Sequence, residues 1–391
     1  MIRELDEKDY QKAIQLSEYA FQYKVTEEEL QKRRDQLKNH IILADEEEGE
    51  ITSKLHIIPF QMHWHGNSVR MGGIAGVATF PEYRRMGKVN RLLTDALKRM
   101  RQEGMYLSYL HPFHTAFYRQ FGWELVSSRK IVSFSRQDLV RIPSIKGTVR
   151  RHASKNMIAE LKRIYSQFAI DNNSLLDRDD SWWENTVIQG AEHAAIAYST
   201  DYTPLGYLLY EVKNKKFIIR EGIFLEEEAK KLLWNYTAQH DSMVDGAEWV
   251  THEKDEFTYY LHNPDAEVKV KPYAMGRIVD AEAILKAFPF HLQEQPLILH
   301  IHDSHAPWNN GTFMKNKEKA DFFRQENEGA ACAHPPKRGL TLDIGTLTAL
   351  LSGYKDAEFL YRAGLMTGSL EDAESLSRCI PAKQSILFDF F

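Results

Sequence analysis

Between Gly73 and Trp123 the hydrophobic period of the chain changes from two to 3.6 across a turn that carries two arginines. The run Gly76-Val-Ala-Thr-Phe-Pro-Glu-Tyr-Arg-Arg-Met-Gly87 reads as a strand stopped by Pro81, a turn bearing Arg84 and Arg85, and a glycine that lets the backbone come close to a ligand. Val89, Leu92, Leu93, Ala96, Leu97 and Met100 then fall on one face of a helix, with Lys88, Arg91, Asp95, Lys98 and Arg99 pointing away. The first N–H groups of such a helix have no internal partner and face an anion favourably. Gly104 stops the helix, a strand covers Met105 to Leu110, and a short helix from Ala116 to Phe121 contains Tyr118 and ends at Gly122.

This series, with Arg84-x-x-Gly87 after an apolar strand, resembles the acetyl-CoA motif of the GCN5-related N-acetyltransferases (GNAT). The usual pattern has Gly or Ala two places after the glycine, and Val89 in that place is similar to the Eis-type (enhanced intracellular survival) branch. So are Ala116-Phe-Tyr118-Arg-Gln-Phe-Gly122-Trp, Gln239-His-Asp-Ser242, Ala306-Pro-Trp-Asn-Asn-Gly311 and the closing Phe388-Asp-Phe-Phe391, so the resemblance spans essentially the whole chain. It implies acetyl-CoA as cosubstrate. The backbone of Val77, Ala78 and Thr79 would lie along the pantetheine arm, and Arg84, Arg85, Met86, Gly87, Lys88 and Val89 would hold the pyrophosphate. Read as plain structure, the same residues form a core strand and a solvated turn.

The 391 residues, 43% of them apolar, suffice for two or three α/β domains. The expected division is 1–150 for a catalytic GNAT unit, 151–280 for a GNAT-like unit and 281–391 for a third part that resembles a sterol-carrier domain. In the first unit Thr26-Glu-Glu-Glu29 marks a capped helix, and strands are expected from His40 to Ala44, Thr52 to Pro59 and Gln61 to His65. The second unit repeats the order of the first without an Arg-x-x-Gly turn. Gly222-Ile-Phe-Leu-Glu-Glu-Glu puts carboxylates where a pyrophosphate needs donors, so this unit is expected to bind no cofactor.

A formal net charge of -5 with mixed signs leaves no basic footprint for nucleic acid, and nothing approaches the roughly 18 apolar residues of a membrane span. A cytoplasmic location is the default expectation. Cys332 and Cys379 read as ordinary thiols. His300-x-His302-x-x-His305 has two histidines on one strand face and a third in a turn, a poor match to zinc spacing, so no metal is expected. His63 and His65 read as a same-face surface pair on a hairpin.

The expected reaction is direct transfer of acetyl to a primary amine in a ternary complex. Tyr118 would act as general acid toward the departing thiolate, since a phenol with a pKa near 10 keeps its proton at neutral pH. The run Ile386-Leu-Phe-Asp-Phe-Phe391 stays apolar to its end, whereas free termini are usually polar and frayed, so it reads as docked. It could also complete the third domain's sheet as a strand. By the resemblance the α-carboxylate of Phe391 acts as base in the first unit. Asp389 is a candidate for added negative charge near a cationic acceptor, and His111 and His114 for lining the cleft or relaying a proton. Aminoglycoside-like polyamines or lysine side chains are the implied acceptors, and a homohexamer the implied assembly. The rival reading is a lipid carrier with inert acyltransferase units.

Overall fold

The computed structural model describes residues 1–292, 295–324 and 338–391; Cys332 lies outside the described residues. The first unit runs β1 (Ile2–Glu4), α1 (Tyr10–Phe21), α2 (Glu27–Leu37), β2 (Ile41–Glu47), β3 (Glu50–Trp64), β4 (Asn67–Thr79), α3 (Lys88–Gln102), β5 (Leu107–Leu110), α4 (Thr115–Arg119) and β6 (Glu124–Ser135). The second adds β7 (Thr148–Ala153), α5 (Ile158–Asp171), β8 (Leu175–Leu176), α6 (Asp180–Trp182), β9 (His193–Tyr198), β10 (Pro204–Lys213), β11 (Lys216–Phe224), α7 (Glu227–Ala238), β12 (Gly246–His252) and β13 (Glu267–Ile278). The third comprises α8 (Ala281–Ala287), β14 (Leu297–His302), β15 (Gly311–Lys315), β16 (Ala320–Arg324), β17 (Leu340–Asp343), α9 (Ile344–Leu351), α10 (Ala357–Arg362), β18 (Met366–Thr367) and α11 (Leu370–Cys379).

The first two units share one sheet in the order β1-β2-β3-β4-β5-β13-β6-β12-β11-β10-β9-β7, with β8 added beside β3. Each unit contains a parallel pair joined through a helix: β4 with β5 across α3, and β11 with β12 across α7. The last strand of the second unit sits inside the first. β13 pairs antiparallel with β5, from Met275 opposite Leu110 to Ile278 opposite Leu107, and along its other edge with β6. β6 in turn pairs with β12, so the two units are tied by backbone ladders as well as by side chains.

Local signals account for most of these elements. Thr26 and Glu29 form a reciprocal capping box at the start of α2. Leu92, Leu93, Ala96, Leu97 and Met100 of α3 are buried against Leu55 and Ile57 of β3 and Ile74 of β4. The third unit has its own sheet, β16-β15-β14-β17-β18. All eight residues of α9 are buried, and its Thr348 hydroxyl accepts the Ile278 N–H at 2.9 Å, joining this unit to β13.

Three expectations change. The two strands foreseen from Thr52 to Pro59 and from Gln61 to His65 are one strand, β3: β2 stops pairing opposite Ile57, so the missing N–H of Pro59 costs no ladder bond on that edge. Residues 386–391 do not join the third unit's sheet; after a single bridge between Ser385 and Asn173 the tail crosses the first two units. His65 is buried, not at the surface. Its φ of 49° breaks the strand alternation and turns the ring inward, where Nε2 donates to the Leu351 carbonyl oxygen at 2.6 Å.

Candidate active site

The opening between β4 and β5 follows from where their ladder ends. They pair only from Met71 opposite Leu107 to Ile74 opposite Leu110, after which β4 continues to Thr79 without that neighbour. On its other edge the register to β3 jumps from Ala75 opposite His56 to Ala78 opposite Lys54, leaving Gly76 and Val77 as a bulge. Gly76 has φ +54°, and a Cβ there would lie 3.1–3.3 Å from the His56 ring and the Lys54 ammonium, so both conformation and space select glycine. Farther along, Ala78 packs against the α1 side of the sheet, and the Thr79 hydroxyl is 2.7 Å from the Ser53 hydroxyl.

Beyond Thr79 the chain makes a tight turn at Pro81–Tyr83, and Arg84 Nε donates back to the Thr79 carbonyl at 3.3 Å. Arg85 and Gly87 both take positive φ, 62° and 71°. Gly87 precedes α3 without a side-chain cap, and Arg84, Arg85, Met86 and Gly87 are all exposed, so the helix opens to solvent with its N–H groups uncapped and two guanidinium groups alongside. Lys88 differs. Its side chain is buried and its ammonium lies 2.5 Å from Glu47 and 3.7 Å from Asp45, which leaves its backbone N–H as the group facing the turn. Val89 is half-buried against the α3 cluster.

Tyr118 projects from α4 into that cluster, beside Ile74, Leu92, Leu93 and Leu110, with the rings of Phe117 and Phe113 5.1 and 5.5 Å away. Its hydroxyl has no hydrogen-bond partner among the described residues. Burial pushes its pKa up to about 12, so it stays protonated. The turn after α4 is locked from outside the first unit: Arg277 of β13 donates to the Phe121 carbonyl and pairs with Asp303 at 2.7 and 2.9 Å. A side chain at Gly122 would strike Arg277 and Ile344, and φ there is +81°.

The chain end arrives from the opposite face. A Cβ on Gly73 would lie 2.8 Å from the Phe391 ring, whereas Ile74, next along β4, belongs to the Tyr118 cluster; successive strand residues face opposite sides. The Phe391 ring also packs on Phe60 and His111, with centroids 5.0 and 5.1 Å apart. His111 is the first residue after β5, its Nδ1 donates to the Tyr273 carbonyl at 3.2 Å, and burial lowers its pKa to about 4, which keeps it neutral near pH 7. His114 is exposed ahead of α4. Asp389 does not face an acceptor space: it is buried, and its Oδ1 accepts from Arg178 Nε at 2.9 Å and from Trp182 Nε1 at 2.8 Å. Strand alternation fails as a guide there because the tail is not in a sheet.

Residues 1–126 and 174–278 each match the domain family described as acetyltransferase (GNAT) domain, and residues 281–388 match the sterol carrier protein domain. The chain belongs to the GNAT acetyltransferases. Two GNAT domains are followed by one sterol-carrier domain. A probable N-acyltransferase of unknown function from Enterococcus faecalis is 28% identical over 100% of this chain and 99% of its own, with a TM-score of 0.90. A GCN5-related N-acetyltransferase from Anabaena variabilis (22% identity, TM-score 0.82) and Eis1 from Mycobacterium abscessus (18%, 0.81) share the fold over the full length of both chains. No curated protein matches the chain.

The second GNAT domain has a cavity of about 520 Å³ at its own strand-to-helix turn, between Phe224 and His252. Glu226, Glu227, Asp255 and Glu256 line it with Lys254 and with Lys230, which is paired with Asp255 at 3.2 Å, so carboxylates outnumber ammonium groups there. Among the described residues no three potential metal ligands come together. His300 is 2.9 Å from the Thr312 hydroxyl and 3.1 Å from the Arg338 carbonyl. No described helix is long and apolar enough to cross a membrane. Sequence reasoning missed Lys54, Arg178 and Arg277, three buried cations that hold the bulge, the tail and the Tyr118 turn. A lysine and a histidine two apart, flanked by Leu55 and Ile57 on a central strand, were the available signal for the first.

Proposed function

We propose that the protein is an acetyl-CoA-dependent N-acetyltransferase acting on a primary amine of an aminoglycoside-like polyamine or a lysine side chain. Transfer is direct, within a ternary complex. The observation that carries this reading is the placement of Tyr118 and Phe391 on opposite faces of the β4–β5 opening, beside Ile74 and Gly73. The backbone of Val77, Ala78 and Thr79 runs along the pantetheine arm, and the uncapped start of α3 with Arg84 and Arg85 takes the diphosphate.

The amine nitrogen attacks the acetyl carbonyl carbon as the carbon–sulfur bond breaks. The Val77 N–H stabilises charge on the carbonyl oxygen, Tyr118 delivers its proton to the thiolate sulfur, and the proton shed by the nitrogen as the amide forms returns through water to the Tyr118 phenolate. An alkylammonium must first lose a proton. The Phe391 carboxylate holds that ammonium and passes the proton to water, being too weakly basic to keep it. A tyrosine held neutral on one face and a carboxylate on the other separate the acid from the base, so neither quenches the other.

In this reading 1–150 is the catalytic unit, 151–280 binds no cofactor, and 281–391 supplies the carboxylate. Titration calorimetry with acetyl-CoA tests the core of it. Saturable binding that is lost in Arg84→Ala is expected, and absence of binding to the unaltered protein overturns the proposal. An amine panel read by thiol release then identifies the acceptor, and sedimentation velocity tests the homohexamer.

A further inference from the structure

Lys54 lies beneath the bulge of β4 in a place where a lysine is costly. It is fully buried on β3, and its ammonium touches only neutral partners: it donates to the Gly76 carbonyl oxygen at 3.1 Å and is 2.7 Å from His56 Nε2. His56 Nδ1 is 3.1 Å from His40 Nδ1. The charged and titratable groups around Lys54 are His56 on its own strand, His40 at the head of β2 and Arg33 on α2; among the described residues no carboxylate compensates it. Both histidines are kept neutral by burial, so with Lys54 charged the hydrogen bonds run one way, from Lys54 to His56 Nε2 and from His56 Nδ1 to His40 Nδ1. A buried cation without a counter-ion destabilises a fold, which an apolar residue at this position would avoid.

We propose that Lys54 is a positioning residue for acetyl transfer, holding the Gly76–Val77 peptide so that the Val77 N–H is presented to the thioester oxygen. This rests on the acetyltransferase reading above. The Gly76 carbonyl and the Val77 N–H are two ends of one peptide unit, and every peptide bond in the described chain is trans, so the two vectors are antiparallel. With the carbonyl aimed at Lys54, the N–H points away from it, and the strand that would otherwise pair on that edge, β5, has already ended at Leu110. The bulge removes Gly76 and Val77 from the β3 register, so nothing in that ladder fixes the rotation of this peptide; Lys54 does. A donor on the carbonyl also polarises the peptide and strengthens its N–H as a donor, more so when that donor is charged and in a dry interior. Burial lowers the Lys54 pKa to about 7, so its charge changes around neutral pH.

The test uses the full-length protein and acetyl-CoA labelled at the acetyl carbonyl carbon, read by isotope-edited infrared difference spectroscopy. The bound thioester carbonyl of the unaltered protein should be shifted to lower frequency than free acetyl-CoA. Lys54→Gln and Lys54→Met should lose part of that shift, and turnover should fall by at least about tenfold, with the acetyl-CoA dissociation constant within roughly threefold. A full shift in both variants overturns the proposal. So does an unaltered protein that binds acetyl-CoA without any shift; failure to bind acetyl-CoA overturns the acetyltransferase reading itself. Should the variants not fold, the unaltered protein still decides: the shift should weaken between about pH 6 and pH 9, and a constant shift refutes the role of Lys54.

Discussion

The Arg178 guanidinium, from the second GNAT domain, grips the Asp389 carboxylate two residues before Phe391. The same guanidinium makes two bonds to Glu221 of β11, at 2.5 and 3.0 Å, and lies 4.1 Å from the Tyr165 ring. Tyr273 of β13 adds a hydrogen bond to the Asp389 carbonyl at 2.9 Å. A domain whose own strand-to-helix turn is lined with carboxylates thus holds the tail that reaches the first domain.

Arg178→Met should therefore affect both stability and the tail. It strands Glu221 and Asp389 in the interior, and removing one partner from a buried ionic cluster costs on the order of 3–5 kcal/mol. Thermal melting should show a clear drop. In the fraction that remains folded, turnover should fall while acetyl-CoA affinity, proposed to reside at the α3 turn, is retained; calorimetry and steady-state rates separate the two.

Tyr118→Phe removes a hydroxyl that bonds to no described residue, so the fold should be untouched. Loss of a general acid should lower turnover by about 10²–10⁴-fold without weakening acetyl-CoA binding. Because burial pushes Tyr118 up to about 12, the rate of the unaltered enzyme should show no alkaline decline from this group below about pH 11. Equal turnover in Tyr118→Phe and the unaltered protein would remove Tyr118 from the mechanism.

Extending the chain by two glycines beyond Phe391 displaces the carboxylate but spares the ring packing on Phe60, His111 and Gly73. Turnover should fall with little change in melting temperature. Deleting Phe391 should lower both, because the ring then leaves a gap beside Gly73. An extended chain with an undiminished rate would show that the carboxylate is not used.

The parts of the fold written in local periodicity were legible: α3 from its apolar stripe, the turn from Pro81 and Gly87, the helix end from Gly104. The exchange of β13 into the first unit was not, because an apolar strand looks the same whichever edge it joins; its partners Leu107–Leu110 and Glu124–Ser133 are distant in sequence. Three charged residues were passed over for a related reason. Nothing near Arg178, Arg277 or Lys54 in the sequence marks them as buried; their partners Asp389, Asp303 and the Gly76 carbonyl are supplied only by the fold. The tail was read correctly as docked, but its path across two units depends on anchors from β6, from β13 and from the loop between β8 and α6.

Acid should unfold this protein through its buried histidines. His40, His65, His111 and His252 are each brought down to about 4, with burial the largest cause. In the unfolded chain each takes up a proton near its ordinary value of about 6.5, so between pH 6.5 and 4 the unfolded state binds more protons than the folded one. Their contribution to stability is complete above pH 6.5 and is lost progressively as the pH falls toward 4. Melting temperature should accordingly decline across this window, before most carboxylates titrate. Replacing His65 with Gln, which can still donate to the Leu351 carbonyl, should flatten part of the decline. A melting temperature constant down to pH 4.5 would show that these rings are hydrated and free to protonate in place.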